Sequence, residues 1–235
     1  MTDFHTHILP GIDDGSQSTE ESLALLRMLG EQGVTRAVLT PHFIPTRDNP
    51  ESFFRRRSEA YQTLVSALGE EKLPKLSLGA EIEYFPGIGS ARGVLDMRIE
   101  GTKLLLVEMP EMRWSEYIVR DIEQLALSYF ARPVLAHIER FYDRIEKRAY
   151  RRLIELGVLM QSNASFFINP KTKKKALTML KRGEIHLLGS DCHSVKSRPP
   201  RLGEAYSVIS DNLGKEKLRE ILDFSEKLFE SPTPC

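Results

Sequence analysis

The chain has 235 residues, 41% of them hydrophobic, enough to bury one substantial core in a single domain spanning 1–235. Lys plus Arg and Asp plus Glu each number 33, a balance that argues against nucleic acid or an anionic membrane surface as partner. Two cysteines, Cys192 and Cys235, make no disulfide framework, the start MTDFHTH lacks a leader's basic and apolar regions, and no apolar run approaches the roughly 18 residues of a membrane span, so a cytoplasmic protein without membrane insertion is expected.

The opening reads MTDFHTHILPGIDDG. Alternation through Asp3-Phe4-His5-Thr6-His7 predicts a strand with His5 and His7 on one face. Asp13-Asp14-Gly15 follow a Pro10-Gly11 turn that can fold carboxylates back over an ion held by the two imidazoles. A polar strand with chance histidines explains a lone H-x-H equally well, so the remaining strands decide. Ser18 with Glu21 has capping-box spacing and opens a helix ending at Gly30 or Gly33. Residues 36–40 form a second strand ending in Pro41-His42. Residues 50–70 read as an amphipathic helix with Arg55, Arg56 and Arg57 on its solvated face. Residues 76–83 form a third strand carrying Glu81.

Residues 86–100, with Gly87, Gly89 and Gly93, read as an irregular surface excursion near the strand ends. Leu104 to Glu108 is a buried strand that stops at a carboxylate. A helix over 115–130 turns Ile118, Ile122, Leu125, Ala126 and Tyr129 inward. The fifth strand runs from Pro133 through His137 to Arg140. A helix over 145–156 and a strand over 158–163 follow. Asn169-Pro170 reads as the cap and first turn of the next helix, whose Lys171-to-Lys175 cluster fits a solvated face better than an anion site. The seventh strand, 186–193, delivers Asp191 and His193, while His186 at its start is read as structural or exposed. Helices over 203–213 and 215–229 close the chain.

Seven strand-then-helix units without a linker predict an α/β domain, a parallel sheet closed as a barrel, whose working residues gather at the strands' C-terminal ends. His5, His7, Asp14, His42, Glu81, Glu108, His137, Asp191 and His193 all fall there, more donors than one ion needs. Imidazole and carboxylate without thiolate suit manganese, iron or zinc, and two or three such ions would clamp an anionic substrate and lower the pKa of a shared water. That chemistry favours phosphoester hydrolysis. Arg140 and Arg198 are candidate catalytic residues offering planar forks to phosphate oxygens, with a surface ion pair as the plain alternative for each.

The segments DFHTHILPGIDDGS, TPH, GAEIEY, VEM, HIERF and SDCHSVKSR, in unbroken order over residues 3 to about 200, closely resemble the bacterial polymerase-and-histidinol-phosphatase (PHP) class of metal-dependent protein-tyrosine phosphatases, the CpsB/YwqE type. The resemblance implies a distorted seven-stranded (β/α)7 barrel and a manganese-dependent trinuclear site. His5, His7, Glu81 and Asp191 would hold one ion, Glu81, Glu108 and His137 a second, and Asp14, His42 and His193 a third, with Arg140 and Arg198 on the phosphate. It also implies a phosphotyrosine protein as partner, namely a bacterial tyrosine kinase of capsule and exopolysaccharide synthesis. This chain has Cys192 and Ser194 where relatives tend to have a small residue and asparagine, and Ile138 and Phe141 where they tend to have proline and tyrosine. Three other readings compete: a PHP-type phosphatase of histidinol phosphate or another small phosphoester, a non-catalytic metal-binding regulatory module, and a thiolate phosphatase using the C-x5-R run from Cys192 to Arg198.

Overall fold

The computed structural model describes residues 1–128 and 130–230, so the inward placement expected of Tyr129 and the reading of Cys235 lie outside the described residues. The expected alternation of strand and helix is present. Strands β1 (Thr2–Thr6), β2 (Arg36–Leu39), β3 (His42–Phe43), β4 (Lys75–Leu78), β5 (Glu81–Glu83), β6 (Leu104–Glu108), β7 (Arg132–Leu135), β8 (Leu159–Asn163) and β9 (Leu187–Gly189) are interleaved with helices. These are α1 (Thr19–Glu31), α2 (Pro50–Ala67), α3 (Glu116–Leu127), α4 (Lys147–Glu155), α5 (Ala164–Ile168), α6 (Lys173–Lys181), α7 (Leu202–Leu213) and α8 (Lys215–Glu230). Ser18 caps α1 as its spacing predicts, its side chain accepting from Glu21 N.

The strands do not form one seven-membered sheet. All pairings are parallel, and the strands lie in a three-stranded sheet, β1-β2-β4, and a six-stranded curled sheet, β3-β5-β6-β7-β8-β9. The strand expected over 76–83 is broken in the middle, and the one expected over 36–40 is followed by a further short strand. Pro41, which has no N–H to give, separates β2 from β3, and Gly79-Ala80 separates β4 from β5. The Pro41 carbonyl accepts Glu81 N at 3.0 Å, and Gly79 N donates to Leu39 O at 2.9 Å, so the chain steps from one sheet to the other without losing its pairing. On the other side Asp191 N donates to His5 O at 2.8 Å and His7 N to Cys192 O at 2.9 Å, joining β1 to the segment after β9.

Both strand faces are buried. Phe4, Val38, Leu104, Leu106, Val134, Leu159 and Leu187 make a compact inner core against which Phe224, Leu228 and Phe229 of α8 pack. Leu105, Val107, Leu135, Met160 and Leu188 alternate with them and face the surrounding helices. Arg36, at the start of β2, lies over the Phe229 ring, so α8 covers the N-terminal end of the strands and leaves the C-terminal end to the loops.

Two local expectations are corrected. Asn169 does not open a helix: it ends α5, its side chain accepts Lys171 N at 3.0 Å, and α6 starts only at Lys173, after the turn that Pro170 imposes. The three arginines of α2 are not all solvated either. Arg57 lies over Phe53 and Phe54 and donates to Gly79 O at 2.7 Å, while Arg56 pairs with Asp48. Residues 86–100 form two short 3-10 turns, Ile88–Ser90 and Arg92–Met97, around the buried Ile88, Val94 and Met97.

Candidate metal centre

Every donor named from the sequence arrives at the C-terminal end of the strands. His5 is on β1 and His7 one residue beyond it. Their Nε2 atoms lie 3.0 Å apart, and Glu81 Oε2 from β5 is 3.1 Å from the first and 3.2 Å from the second. All three side chains are buried. His42 Nδ1 is 3.2 Å from the same Glu81 oxygen, and His137 Nε2 is 2.8 Å from the other one. Glu108 Oε1 stands 3.3 Å from His137 Nε2. Asp14 Oδ1 reaches His42 Nε2 at 3.3 Å and His193 Nε2 at 3.5 Å, and Asp191 Oδ1 is 3.6 Å from His7 Nε2 and 3.7 Å from His5 Nε2. Three groups of donors close enough to share an ion emerge: His7, Asp14, His42 and His193; His5, His7 and Glu81; and His42, Glu81 and Glu108. Glu81 belongs to two of them.

The backbone is bent to deliver these groups. His137 and Asp191 both adopt left-handed conformations, φ 30° and 54°, which a side chain tolerates only where its surroundings hold it. Gly15 and Gly189 leave room for imidazoles. A Cβ at Gly15 would sit 2.2 Å from His7 O, and one at Gly189 would sit 2.6 Å from His5 Cβ.

Behind the donors stands a layer of which the sequence reading names only Asp13, as a carboxylate that could fold back over the ion. His7 Nδ1 is 2.8 Å from Asp13 Oδ2, which also accepts His42 N at 3.0 Å, while Asp13 Oδ1 accepts Gly15 N at 2.9 Å. Gln161 Oε1 is 3.2 Å from His5 Nδ1 and accepts His137 N at 2.8 Å. Asn163 Nδ2 donates to Asp191 Oδ2 at 2.7 Å. Gln161 and Asn163 are amides in an apolar strand at period two, and that was the available signal. His186 takes no part: its Nδ1 accepts Met160 N at 3.0 Å.

The cluster's electrostatics favour a cation. Burial alone would lower the His7 pKa, but its bonds to Asp13 and Glu81 hold it up at about 10. His137 reaches about 9 by the same opposition, Glu108 and Glu81 outweighing burial. Burial works against the charge of Asp191, yet His5 and His7 hold its carboxyl well below the usual range. Arg140 Nη2 donates to Asp191 Oδ2 at 2.9 Å, and Arg198 pairs with the same oxygen. Both guanidinium groups stay partly exposed, 41% and 38%, so each has a face open toward solvent beside the cluster. Cys192, the candidate of the rival thiolate mechanism, is fully buried, and burial pushes its thiol far above its ordinary pKa. An inert, neutral thiol is the consequence.

Parallel strands that end together in imidazoles and carboxylates define an α/β protein of the metal-site class, with its donors on the loops at one rim. The chain belongs to the family described as capsular polysaccharide synthesis, CpsB/CapC, whose model matches residues 1–229. It is similar to the tyrosine-protein phosphatase CpsB of Streptococcus pneumoniae, 31% identical with 94% of each chain covered. The tyrosine-protein phosphatase YwqE of Bacillus subtilis is 30% identical over 99% of this chain and 93% of its own. A solved structure from the pair YwqE of Bacillus subtilis and CpsB of Streptococcus pneumoniae, described as unique metal-dependent tyrosine phosphatases, matches with a TM-score of 0.82 at 25% identity, covering 100% of this chain and 96% of that one. A histidinol phosphate phosphatase from Lactococcus lactis matches with a TM-score of 0.55 at 14% identity over 89% of this chain and 92% of that one, a likeness of fold alone.

Proposed function

We propose that this chain is a metal-dependent protein-tyrosine phosphatase, hydrolysing phosphotyrosine in a protein to tyrosine and phosphate. The observation that carries the reading is the convergence of His5, His7 and Glu81, three buried donors within 3.2 Å of one another, with the forks of Arg140 and Arg198 meeting at the adjacent Asp191. The donor set fits divalent cations, because the imidazoles of His7 and His137 hold protons against the same carboxylates that an ion would engage. In our assignment His5, His7, Glu81 and Asp191 hold one ion, Glu81, Glu108 and His137 a second, and Asp14, His42 and His193 a third. Two to three ions, manganese first, are accommodated, with iron or zinc chemically equivalent at such donors. When bound, these cations supply Lewis acidity toward the phosphate and lower the pKa of water.

The chain's own groups do the rest. Asp13 fixes the His7 ring so that Nε2 points into the cluster, and Gln161 does the same for His5. Arg140 and Arg198, which both reach Asp191 and stay partly exposed beside the donors, would orient phosphate oxygens. A tyrosyl leaving group has a pKa of about 10, so it departs without the dedicated acid an alkoxide needs, and none stands in the cluster. We read the nine strand segments as seven barrel staves, two of them interrupted. A cytoplasmic setting and a bacterial tyrosine kinase of capsule or exopolysaccharide synthesis as the phosphorylated partner accord with the family. Among the described residues no helix is long and apolar enough to cross a membrane.

The test is phosphate release from a phosphotyrosyl peptide by the manganese-loaded chain, with metal content measured on the same sample. Phosphotyrosine turnover abolished by EDTA is expected. Full activity after metal removal would overturn the mechanism. Faster turnover of histidinol phosphate would move the substrate to the small-phosphoester reading, and no turnover with ions bound would leave a metal-binding module.

A further inference from the structure

Beside the metal donors lies a cleft of about 520 Å³ between the loop after β1 and the loop after β3. The metal donors Asp14 and His42, half-buried Ile12 and Ile44, and Arg47 and Arg56 line it. The charges in it are unequal in their commitments. Arg56 pairs with Asp48 and reaches Ile12 O at 3.4 Å, which ties α2 to both loops. Asp48 in turn accepts Ile44 N at 3.1 Å, and the backbone N–H groups of Arg47 and Asp48 donate to Ile44 O at 2.9 and 2.8 Å. Asp13 is spent on His7 and His42. Arg47 is left: exposed, held on a turn fastened at both ends, its guanidinium without a hydrogen bond or ion pair among the described residues. An uncommitted guanidinium in a cleft also lined by the donors Asp14 and His42 is placed to recognise a second charge on whatever the centre holds.

We propose that this cleft is the peptide subsite of the phosphatase, in which Ile12 and Ile44 receive the tyrosyl ring and Arg47 pairs with the carboxylate of an Asp or Glu flanking it. The proposal rests on the phosphatase reading and deepens it, since it assigns a preference for acidic sequence context to a residue outside the metal and phosphate machinery. An aryl ring and a carboxylate suit this lining for separate reasons. The aliphatic sides offer apolar contact at the width of the cleft. The guanidinium offers two parallel donors, which a carboxylate accepts and a neutral side chain does not. An exposed pair of this kind changes affinity modestly, by roughly 1.5- to fivefold.

The experiment compares two phosphotyrosyl peptides, one with glutamates and one with alanines beside the phosphotyrosine, on the manganese-loaded wild type and on Arg47→Ala, Arg47→Lys and Arg47→Glu, with p-nitrophenyl phosphate as the reference substrate. Wild type is expected to show a KM about 1.5- to fivefold lower for the acidic peptide at similar kcat. In Arg47→Ala the ratio of the two kcat/KM values should collapse to about one, Arg47→Lys should restore part of it, and Arg47→Glu should favour the neutral peptide. A wild type indifferent to the flank overturns the proposal, as does an Arg47→Ala whose loss is equal on both peptides and the reference substrate. If no substrate turns over, the phosphatase reading fails on its own. Fluorescence anisotropy with the same labelled peptides then decides the subsite by whether the acidic one binds more tightly to wild type than to Arg47→Ala.

Discussion

Asp13 Oδ2 lies 2.8 Å from His7 Nδ1 and so commits the opposite nitrogen, Nε2, to the cluster around Glu81. The same oxygen accepts the backbone N–H of His42, which carries the orientation to a second donor. Asp13→Ala removes both constraints without touching a donor atom. Loss of such an outer partner lowers metal affinity by about 10- to 100-fold. Calorimetric titration of the metal-free variant with manganese should show that drop while circular dichroism stays that of the wild type, and an affinity equal to wild type would deny Asp13 its orienting role.

That pair also marks how far the sequence could be read. His42, Glu81, Glu108, His137 and Asp191 were visible because each ends a short apolar run, where a parallel α/β sheet presents its side chains to the loops. Asp14 was named as a donor, but the orienting role of Asp13 was hidden, since it depends on how the turn after Pro10 folds back over β1. The break at Gly79-Ala80 was hidden for a related reason: the apolar run KLSLGAEIE looks continuous whether its backbone keeps one partner strand or changes it. Arg57 shows the limit of charge patterning. Its place over Phe53 and Phe54, with its hydrogen bond to Gly79 O, is a tertiary contact that helical periodicity does not contain.

The buried Cys192 separates two mechanisms with one substitution. A thiolate nucleophile would be lost in Cys192→Ser, whereas the metal reading leaves phosphotyrosine turnover within about twofold of wild type, because the side chain only fills space behind β1. Chelation with EDTA should have the opposite pattern, abolishing turnover in both proteins. Inactivity of the serine variant with its full metal content would reverse the assignment.

Gly189 stands where any side chain meets His5. An added Cβ would lie 2.6 Å from His5 Cβ and 2.8 Å from Gln161 Nε2, both packed in the interior. Gly189→Ala should therefore cost about 1–3 kcal/mol in unfolding free energy and reduce metal stoichiometry. Gly214→Ala is the comparison: no atom lies within 4 Å of its Cβ, so its effect comes from its positive φ alone and should leave metal content at the wild-type value. Equal metal content in the two variants would show that the space beside His5 is not limiting.

Metal uptake should expel protons. His7, held at about 10, and His137, held at about 9, are imidazolium in the metal-free protein near neutral pH and must lose that proton to ligate. Manganese affinity should rise as pH is raised from 6.5 toward 9. Titration calorimetry in two buffers of different ionisation enthalpy should report net proton release at pH 7. A binding enthalpy independent of buffer would contradict the protonated cluster.

His186 gives the fold its own acid sensitivity, away from the metal. Its pKa is held down at about 4, first by burial and then by the charge of Arg132, and its Nδ1 must stay unprotonated to accept Met160 N at 3.0 Å. In the unfolded chain the imidazole titrates at about 6.5. Between about pH 4 and 6.5 the unfolded state therefore binds more protons than the folded one. The stability His186 contributes is fully present above 6.5 and drains away as pH falls toward 4, with a slope of at most about 1.4 kcal/mol per pH unit. Asn at this position keeps an acceptor near Nδ1 and has no proton to take up. Urea midpoints of the metal-free proteins at pH 4.5 and 7 should fall less for His186→Asn than for wild type. Taking the difference between the two proteins removes the titration of the cluster histidines, which they share, so parallel falls would mean that His186 is protonated in the folded state.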